Sequence, residues 1–193
     1  MPRVAIIAGP NGSGKTTFYY AKLKEQFPRF VNADEIAVAL SAQVPAETVS
    51  LEAANRAETF RQDLLSNGED FAFETVFSRT PHWLSFVSRL KDHGYEVWLF
   101  FVCTESPLLN AARVETRAAR GGHSVPPGKI VSRFGGSIRT ALGARSLVDQ
   151  LWLYDNTEGN RGHRLIARFV RGEADYLAAA IPEWASPFIL GQF

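Results

Sequence analysis

The chain reads as an α/β sandwich around a mostly parallel central sheet, and three observations predict it. Short apolar runs bounded by turn residues alternate with amphipathic segments of helical period. The first run, Val4–Ala8, is wholly apolar, as strands covered on both faces are. A glycine-rich turn follows it at once and opens into a helical segment. The 193 residues suit one domain that buries its own core, and no repeat or low-complexity linker divides them.

The remaining elements follow in order. Residues 15–27 are predicted as a helix, with a second strand ending near Val31-Asn32 and one or two helical turns over Asp34–Leu40. Residues 46–67 form a long helix, because Val49, Ala53, Ala57, Phe60 and Leu64 make an apolar stripe and Asn67-Gly68 ends it. Phe71–Glu74 is the third strand. Thr80-Pro81 opens the next helix, with threonine as cap and proline in the first turn. That helix runs to His93-Gly94, where His93 suits the negative end of the dipole. Tyr95–Val102 is the most apolar run and the central strand candidate. Ser106-Pro107 repeats the cap signal for a helix to about Arg120. In that helix Leu108, Leu109, Ala111, Ala112, Ala118 and Ala119 are expected to be buried. Residues 128–146 are helical again, weakened by Gly135-Gly136, and Leu151–Tyr154 and Leu165–Val170 are late strands. From Glu173 onward a short helix and an irregular end are expected, packed through Trp184 and Phe188. Residues 1–193 are thus expected to be one domain, with a mobile lid around 106–140.

Composition narrows the function classes. A net charge of +1 gives no general attraction to nucleic acid or to a membrane surface. No basic-aromatic motif for RNA or DNA is present, and no apolar run approaches the roughly 20 residues that span a bilayer. The one cysteine, Cys103, lies in an apolar run and reads as a small buried hydrophobe. With no disulfide available and no secretory pattern at Met1–Val4, a cytoplasmic location is expected.

Chemistry enters at Gly9-Pro10-Asn11-Gly12-Ser13-Gly14-Lys15-Thr16, which matches G-x-x-x-x-G-K-[ST] at every fixed position. Glycines let successive N–H groups turn toward phosphate oxygens, and the positive end of the next helix faces the same anion. Lys15 is placed to reach the β- and γ-phosphates of ATP, and Thr16 to offer a hydroxyl to Mg2+. Thr17 extends the same cradle. The pattern predicts a P-loop nucleotide-kinase-like fold.

In open α/β sheets ligands gather at the carboxyl ends of the strands. Asp34 follows the second strand; its carboxylate is a candidate base for an acceptor hydroxyl, or a helix cap. Glu74 ends the third strand and is a candidate for acceptor binding or Mg2+ coordination, with Thr75 and Ser78 adding hydroxyls. Arg113, Arg117 and Arg120 share one helix face and Arg133 follows on the next helix, so a cluster can neutralise a transferred phosphoryl group. His123, between these helices, is a candidate for a further phosphate contact, or a loop histidine satisfied by backbone. Asn156, in Asp155-Asn156-Thr157, lies at another strand end where adenine or ribose would bind. His82 and His163 carry no signal.

Together these residues resemble the zeta-toxin family of P-loop kinases, in particular its small chromosomal members. The resemblance rests on the run Gly9–Thr17, Asn32-Ala33-Asp34, Phe73-Glu74-Thr75, Arg113 through Gly121-Gly122-His123-Ser124-Val125-Pro126 to Arg133-Phe134, and Tyr154-Asp155-Asn156-Thr157. It spans about residues 3–158. It implies an ATP-dependent kinase acting on a hydroxyl of a small molecule, of the UDP-N-acetylglucosamine type in the studied toxins, with an antitoxin protein as partner. It further implies phosphate binding by Lys15, a base at Asp34 and an acceptor site at Glu74. Arg113 or Arg117, with a second basic group near His123 or Arg133, would stabilise the transferred phosphate. Where the toxins carry a basic residue after the acceptor glutamate, this chain has Ser78 followed by Arg79. A nucleotide-dependent switch or ATPase regulated by a partner, without an acceptor, stays open as the alternative.

Overall fold

Alternation of apolar side chains along a completely buried strand builds two cores at once. In the computed structural model, which describes residues 1–120 and 125–191, β1 (Arg3–Ala8) sends Val4, Ile6 and Ala8 to one face and Ala5 and Ile7 to the other. The sheet has seven strands in the order β2-β3-β1-β4-β5-β6-β7. Here β2 is Phe30–Val31, β3 Phe71–Thr75, β4 Glu96–Cys103, β5 Gln150–Asp155, β6 Arg164–Val170 and β7 Glu173–Leu177. The first five are parallel, and β6 and β7 add an antiparallel edge.

The register decides where the site lies. Ala8 pairs with Thr75 on one side and Phe101 on the other, and Cys103 pairs with Asp155. The carboxyl ends of β1, β3, β4 and β5 therefore finish along one rim. Among the described residues seven α-helices complete the fold: α1 (Lys15–Lys22), α2 (Ala33–Leu40), α3 (Ala46–Ser66), α4 (Thr80–Asp92), α5 (Pro107–Ala118), α6 (Pro127–Ala144) and α7 (Ser186–Leu190). One core packs Phe71, Phe73, Phe86 and Phe101 with α3, α4, α6 and the carboxy-terminal Trp184 and Phe188. The other packs Phe18, Tyr19, Phe27 and Phe100 beneath α1. This is the α/β architecture, with a mostly parallel sheet and a kinase-like P-loop, that the sequence predicts.

Several local expectations change. The segment after Val170 is a strand, not irregular chain: Arg171 and Gly172 both have positive φ (50° and 85°) and turn β6 back into β7 as a two-residue hairpin. Thr80 does not cap α4; its hydroxyl instead pairs with that of Thr140 on α6 at 2.6 Å. Ser106 does cap α5, accepting from Leu108 N at 3.2 Å. The inward residues of α5 are Asn110 and Val114, whereas Leu108 is 71% exposed, because α5 lies over the glycine-rich loop and not over an apolar layer. In α3 the stripe includes Ala53, Ala57 and Leu64, but Phe60 points to solvent and Arg61 is buried. Cys103 is fully buried, and burial pushes its thiol pKa far up. No helix among the described residues is long and apolar enough to cross a membrane.

Candidate active site

The loop between β1 and α1 is held from three sides. Gly9 N donates to Thr75 O at 3.2 Å, Ser13 N to Pro10 O at 3.3 Å, and Phe18 N to Gly14 O at 3.0 Å. Gly14 has φ of +95°, and a Cβ there would sit 2.2 Å from Asn156 Nδ2. That nitrogen donates to Ser13 O at 2.8 Å, so Asn156 fastens the loop from beneath. Asn156 is 7% exposed and lines neither of the two cavities at the loop. Burial turns the Asn156 amide onto loop backbone, beside the strand end where the sequence predicts adenine or ribose.

Two ligand-facing residues of the loop converge on Glu74. Thr16 Oγ1 donates to Glu74 Oε2 at 2.7 Å, and Lys15 Nζ lies 3.6 Å from Glu74 Oε1 while donating to Pro10 O at 3.0 Å. Lys15 is 5% exposed, so its ammonium faces little water. Asn32 completes the group. Its Oδ1 accepts from Asp34 N at 2.9 Å and caps α2, which contributes about 1 kcal/mol. Its Nδ2 donates to Glu74 Oε2 at 3.3 Å. Because Asn32 is the cap, Asp34 in the first turn of α2 is free of that role. Its side chain is 48% exposed and lies 3.9 Å from Arg117 Nη1.

Two cavities meet at this cluster. The first, of about 390 Å³, is lined on the loop side by Gly12, Gly14, Lys15, Thr16 and Thr17 and roofed by Arg113 and Arg117. The second, of about 350 Å³, is lined by Asn11, Thr75, Arg61, Trp83 and Arg133 among others. Lys15, Asn32, Asp34 and Glu74 line both.

The arginines divide between the two. Arg113 is fastened by donating Nη1 to Asn156 O and Nη2 to Thr157 O, each at 2.9 Å. Arg117 reaches toward Asp34, and Arg133 lines the second cavity. His123 lies outside the described residues. Ser78 is not among the lining residues of either cavity. Its backbone packs on α6, where a Cβ on Gly136 would meet Ser78 O at 3.2 Å. Thr75 Oγ1 accepts from Phe77 N at 3.1 Å and holds Phe77 at φ 60°, a conformation a bulky residue rarely adopts.

The donor set fits Mg2+. It offers hard oxygens, from the Thr16 hydroxyl and the Glu74 and Asp34 carboxylates, beside an ammonium that would meet phosphate. Among the described residues no group of three or more His, Cys, Asp or Glu could hold a metal ion. Two buried loop atoms, Asn11 Oδ1 and Ser13 Oγ, have no hydrogen-bond partner within the protein.

Residues 4–132 match the family model described as an AAA domain. The chain belongs to that family. Its P-loop and the surrounding sheet rim therefore form a nucleotide-binding fold. No curated protein matches the chain in sequence. Among solved structures, one of the PezAT chromosomal toxin–antitoxin system of Streptococcus pneumoniae superposes with a TM-score of 0.67 at 16% identity, covering 100% of this chain and 80% of that one. A chain of the AvrRxo1-ORF1:-ORF2 complex with ATP gives 0.70 at 18% identity, covering 98% of this chain; the chain spans 63% of that longer protein. A candidate kinase from Chloroflexus aurantiacus gives 0.60 at 18% identity over 83% of this chain and 91% of its own. At these identities the likeness is one of fold, and at that level it agrees with the zeta-toxin resemblance read from the sequence.

Sequence reasoning passed over two residues of the site. Arg61 lies inside an amphipathic helix, where an arginine reads as solvated surface. His163 carries no local motif, yet its Nε2 donates to Gly14 O at 3.1 Å and its ring meets Phe18 edge-on at 5.2 Å. Burial first, with Lys22 and Arg113 nearby, lowers the His163 pKa below 6.5, against the opposing hydrogen bond to Gly14. A depressed folded pKa means that the unfolded chain binds the proton more tightly. The stability His163 supplies is thus present above about pH 6.5 and is lost as pH falls below it. His163→Gln keeps a donor for Gly14 and removes the titration. Its melting temperature is expected to fall less between pH 7 and pH 5 than that of the wild type; equal slopes by calorimetry would contradict this.

Proposed function

We propose that the chain is an ATP-dependent phosphotransferase that moves the γ-phosphate to a hydroxyl of a small molecule. The observation that supports this reading is the shared wall of the two cavities. Lys15, Asn32, Asp34 and Glu74 line both the P-loop cavity and its neighbour, so a donor and an acceptor would meet across them. A nucleotide switch without an acceptor has no need of the second cavity.

In this reading ATP lies on Gly9–Thr17, with Lys15 on the β- and γ-phosphates. The acceptor hydroxyl oxygen bonds to the γ-phosphorus as the bond from that phosphorus to the bridging oxygen of ADP breaks. The hydroxyl proton passes to the Asp34 carboxylate. Arg113 and Arg117 neutralise charge on the transferred oxygens from the donor side. Arg133 and Thr75 face the acceptor, and Glu74, released from Lys15 and Thr16 when phosphate enters, orients the acceptor. Mg2+, held by Thr16 and phosphate oxygens, would neutralise charge on the β- and γ-phosphates when bound. Residues 1–193 act as one kinase domain.

For the acceptor we favour a sugar nucleotide of the UDP-N-acetylglucosamine type, supported by the zeta-toxin resemblance. The fold shared with a toxin–antitoxin system supports an antitoxin-like protein partner in the cytoplasm. The test is an ATP-consumption screen over UDP-sugars, nucleosides and free sugars, with Lys15→Ala as blank. An acceptor that raises turnover at least about tenfold above hydrolysis, and gains one phosphate by mass, is expected. Uniform slow hydrolysis, abolished in Lys15→Ala, would favour the partner-regulated ATPase.

A further inference from the structure

Both ends of the segment that joins β5 to β6 are pinned to the phosphate loop. At its start Asn156 Nδ2 donates to Ser13 O at 2.8 Å, and at its finish His163 Nε2 donates to Gly14 O at 3.1 Å. Between them the chain makes one short 3-10 turn, Gly159–Arg161. The first carbonyls of the segment are also engaged from another side. Arg113 Nη1 donates to Asn156 O and Nη2 to Thr157 O, each at 2.9 Å. Two donors of one planar fork on successive carbonyls fix the guanidinium as a single bond would not.

Helix α5, which carries Arg113, meets the phosphate loop a second time. A Cβ on Gly12 would lie 2.5 Å from Asn110 O, so the two backbones pass in direct contact. Asn110 is fully buried, and its Oδ1 accepts from Thr104 Oγ1 at 2.8 Å. Asn156 N in turn donates to Cys103 O at 2.8 Å, the end of β4. Loop, α5 and the β5–β6 segment are thus interlocked beside the cavity that Arg113 lines. Gly159 stands where this arrangement is most easily upset. A Cβ there would sit 2.9 Å from Arg113 Nη2 and 3.6 Å from Arg113 Cζ, with Asn156 Oδ1 next at 3.9 Å. Gly159 is not among the glycines with positive φ, so the turn itself does not demand glycine. The tip of one flexible side chain yields where backbone would not, and a methyl at 159 would displace Arg113 and little else.

We infer that Gly159 is a positioning residue for phosphoryl transfer: by carrying no side chain it lets the β5–β6 segment seat Arg113 against the phosphate loop. The seat aims the arginine in advance at the place where the transferred phosphoryl group develops. Two of its donors hold carbonyls, and the other N–H groups of the fork are left for phosphate oxygens. This rests on the reading of the site as one for phosphoryl transfer, with or without a small-molecule acceptor. Moving a preorganised charge by about 1 Å costs more in the transition state than in ground-state binding. Displacement of Arg113 is therefore a defect of rate, with nucleotide affinity largely kept.

The test needs no acceptor. The full chain is titrated with ADP and Mg2+, without and with aluminium fluoride, which stands for the phosphoryl group in flight. Affinity for ADP alone reads the loop and the integrity of the fold. The tightening brought by aluminium fluoride reads the groups aimed at the transferred phosphoryl. Wild type is expected to bind at least about tenfold more tightly with the fluoride present. Gly159→Ala is expected to lose most of that gain while binding ADP alone within about threefold of wild type. Arg113→Ala should lose it to the same degree. The double variant should lose no more than Arg113→Ala, because the methyl then occupies the space the guanidinium has left. A fault in the turn itself would instead add to the loss of the arginine. A full gain in either single variant, or additive losses in the double variant, overturns the inference and leaves phosphoryl transfer standing. Absence of any gain in wild type overturns the phosphoryl-transfer reading, and the role of Gly159 with it.

Discussion

Asp34→Asn is expected to lower phosphoryl transfer by about 10² to 10⁴, the range of a general base, while ATP binding persists. The change is nearly isosteric, and Asp34 sits apart from the groups that hold the loop. Asn32, not Asp34, caps α2, and Glu74, not Asp34, engages Lys15 and Thr16. The Arg117 pair that would be lost is long, 3.9 Å, and half-exposed on both sides, so it contributes roughly 0–1 kcal/mol. Losing one acidic residue from the first turn of α2 costs about 0.3–1 kcal/mol, with Glu35 still present. A collapse in rate with a melting temperature lowered by only about 2–4 °C per kcal/mol lost is therefore the signature of the base. Transfer at the wild-type rate, read by product mass with the first acceptor found, would remove Asp34 from that role and leave Glu74 as the carboxylate to test.

The parts of this site legible in the sequence are those whose chemistry is local. The loop Gly9–Thr16 is readable because phosphate binding by backbone demands glycines at fixed spacing beside one lysine and one hydroxyl. Asp34 and Glu74 are readable because one stands just beyond an apolar strand and the other at the end of one, and the parallel register brings those strand ends to one rim. Arg61 is not readable, since nothing in a helical stripe tells which of Phe60 and Arg61 faces a cavity made by β3 and α4. Asn156 is legible as a residue at the rim but not as the fastener of the loop, because its partner, Ser13, lies 143 residues away. The strand β7 is hidden for another reason. All of its residues are exposed, so no alternation marks it, and its turn is Arg171-Gly172 where asparagine or aspartate before glycine is the stronger signal.

Gly9→Ala is expected to destabilise the fold by on the order of 3 kcal/mol or more, a large share of the roughly 5–15 kcal/mol that holds a domain together. Gly9 has φ of +146°, and a Cβ built on it would lie 2.0 Å from Val102 O and 3.0 Å from Val102 C. Both atoms are backbone of β4, the strand hydrogen-bonded to β1 on one side and β5 on the other. Neither can yield as a side chain would, so relief requires the end of β1 to part from β4, and the loop that starts there to move with it. The same mutation at Gly128, in the first turn of α6, meets nothing within 4 Å. There it removes backbone freedom from the unfolded chain and gains helix propensity, so it should leave stability unchanged or raise it by up to about 1 kcal/mol. Urea unfolding of the two variants separates close approach from composition. Equal midpoints for Gly9→Ala and the wild type would mean that the loop does not pass against β4, and with it would go the placement of Lys15 and Thr16 opposite Glu74.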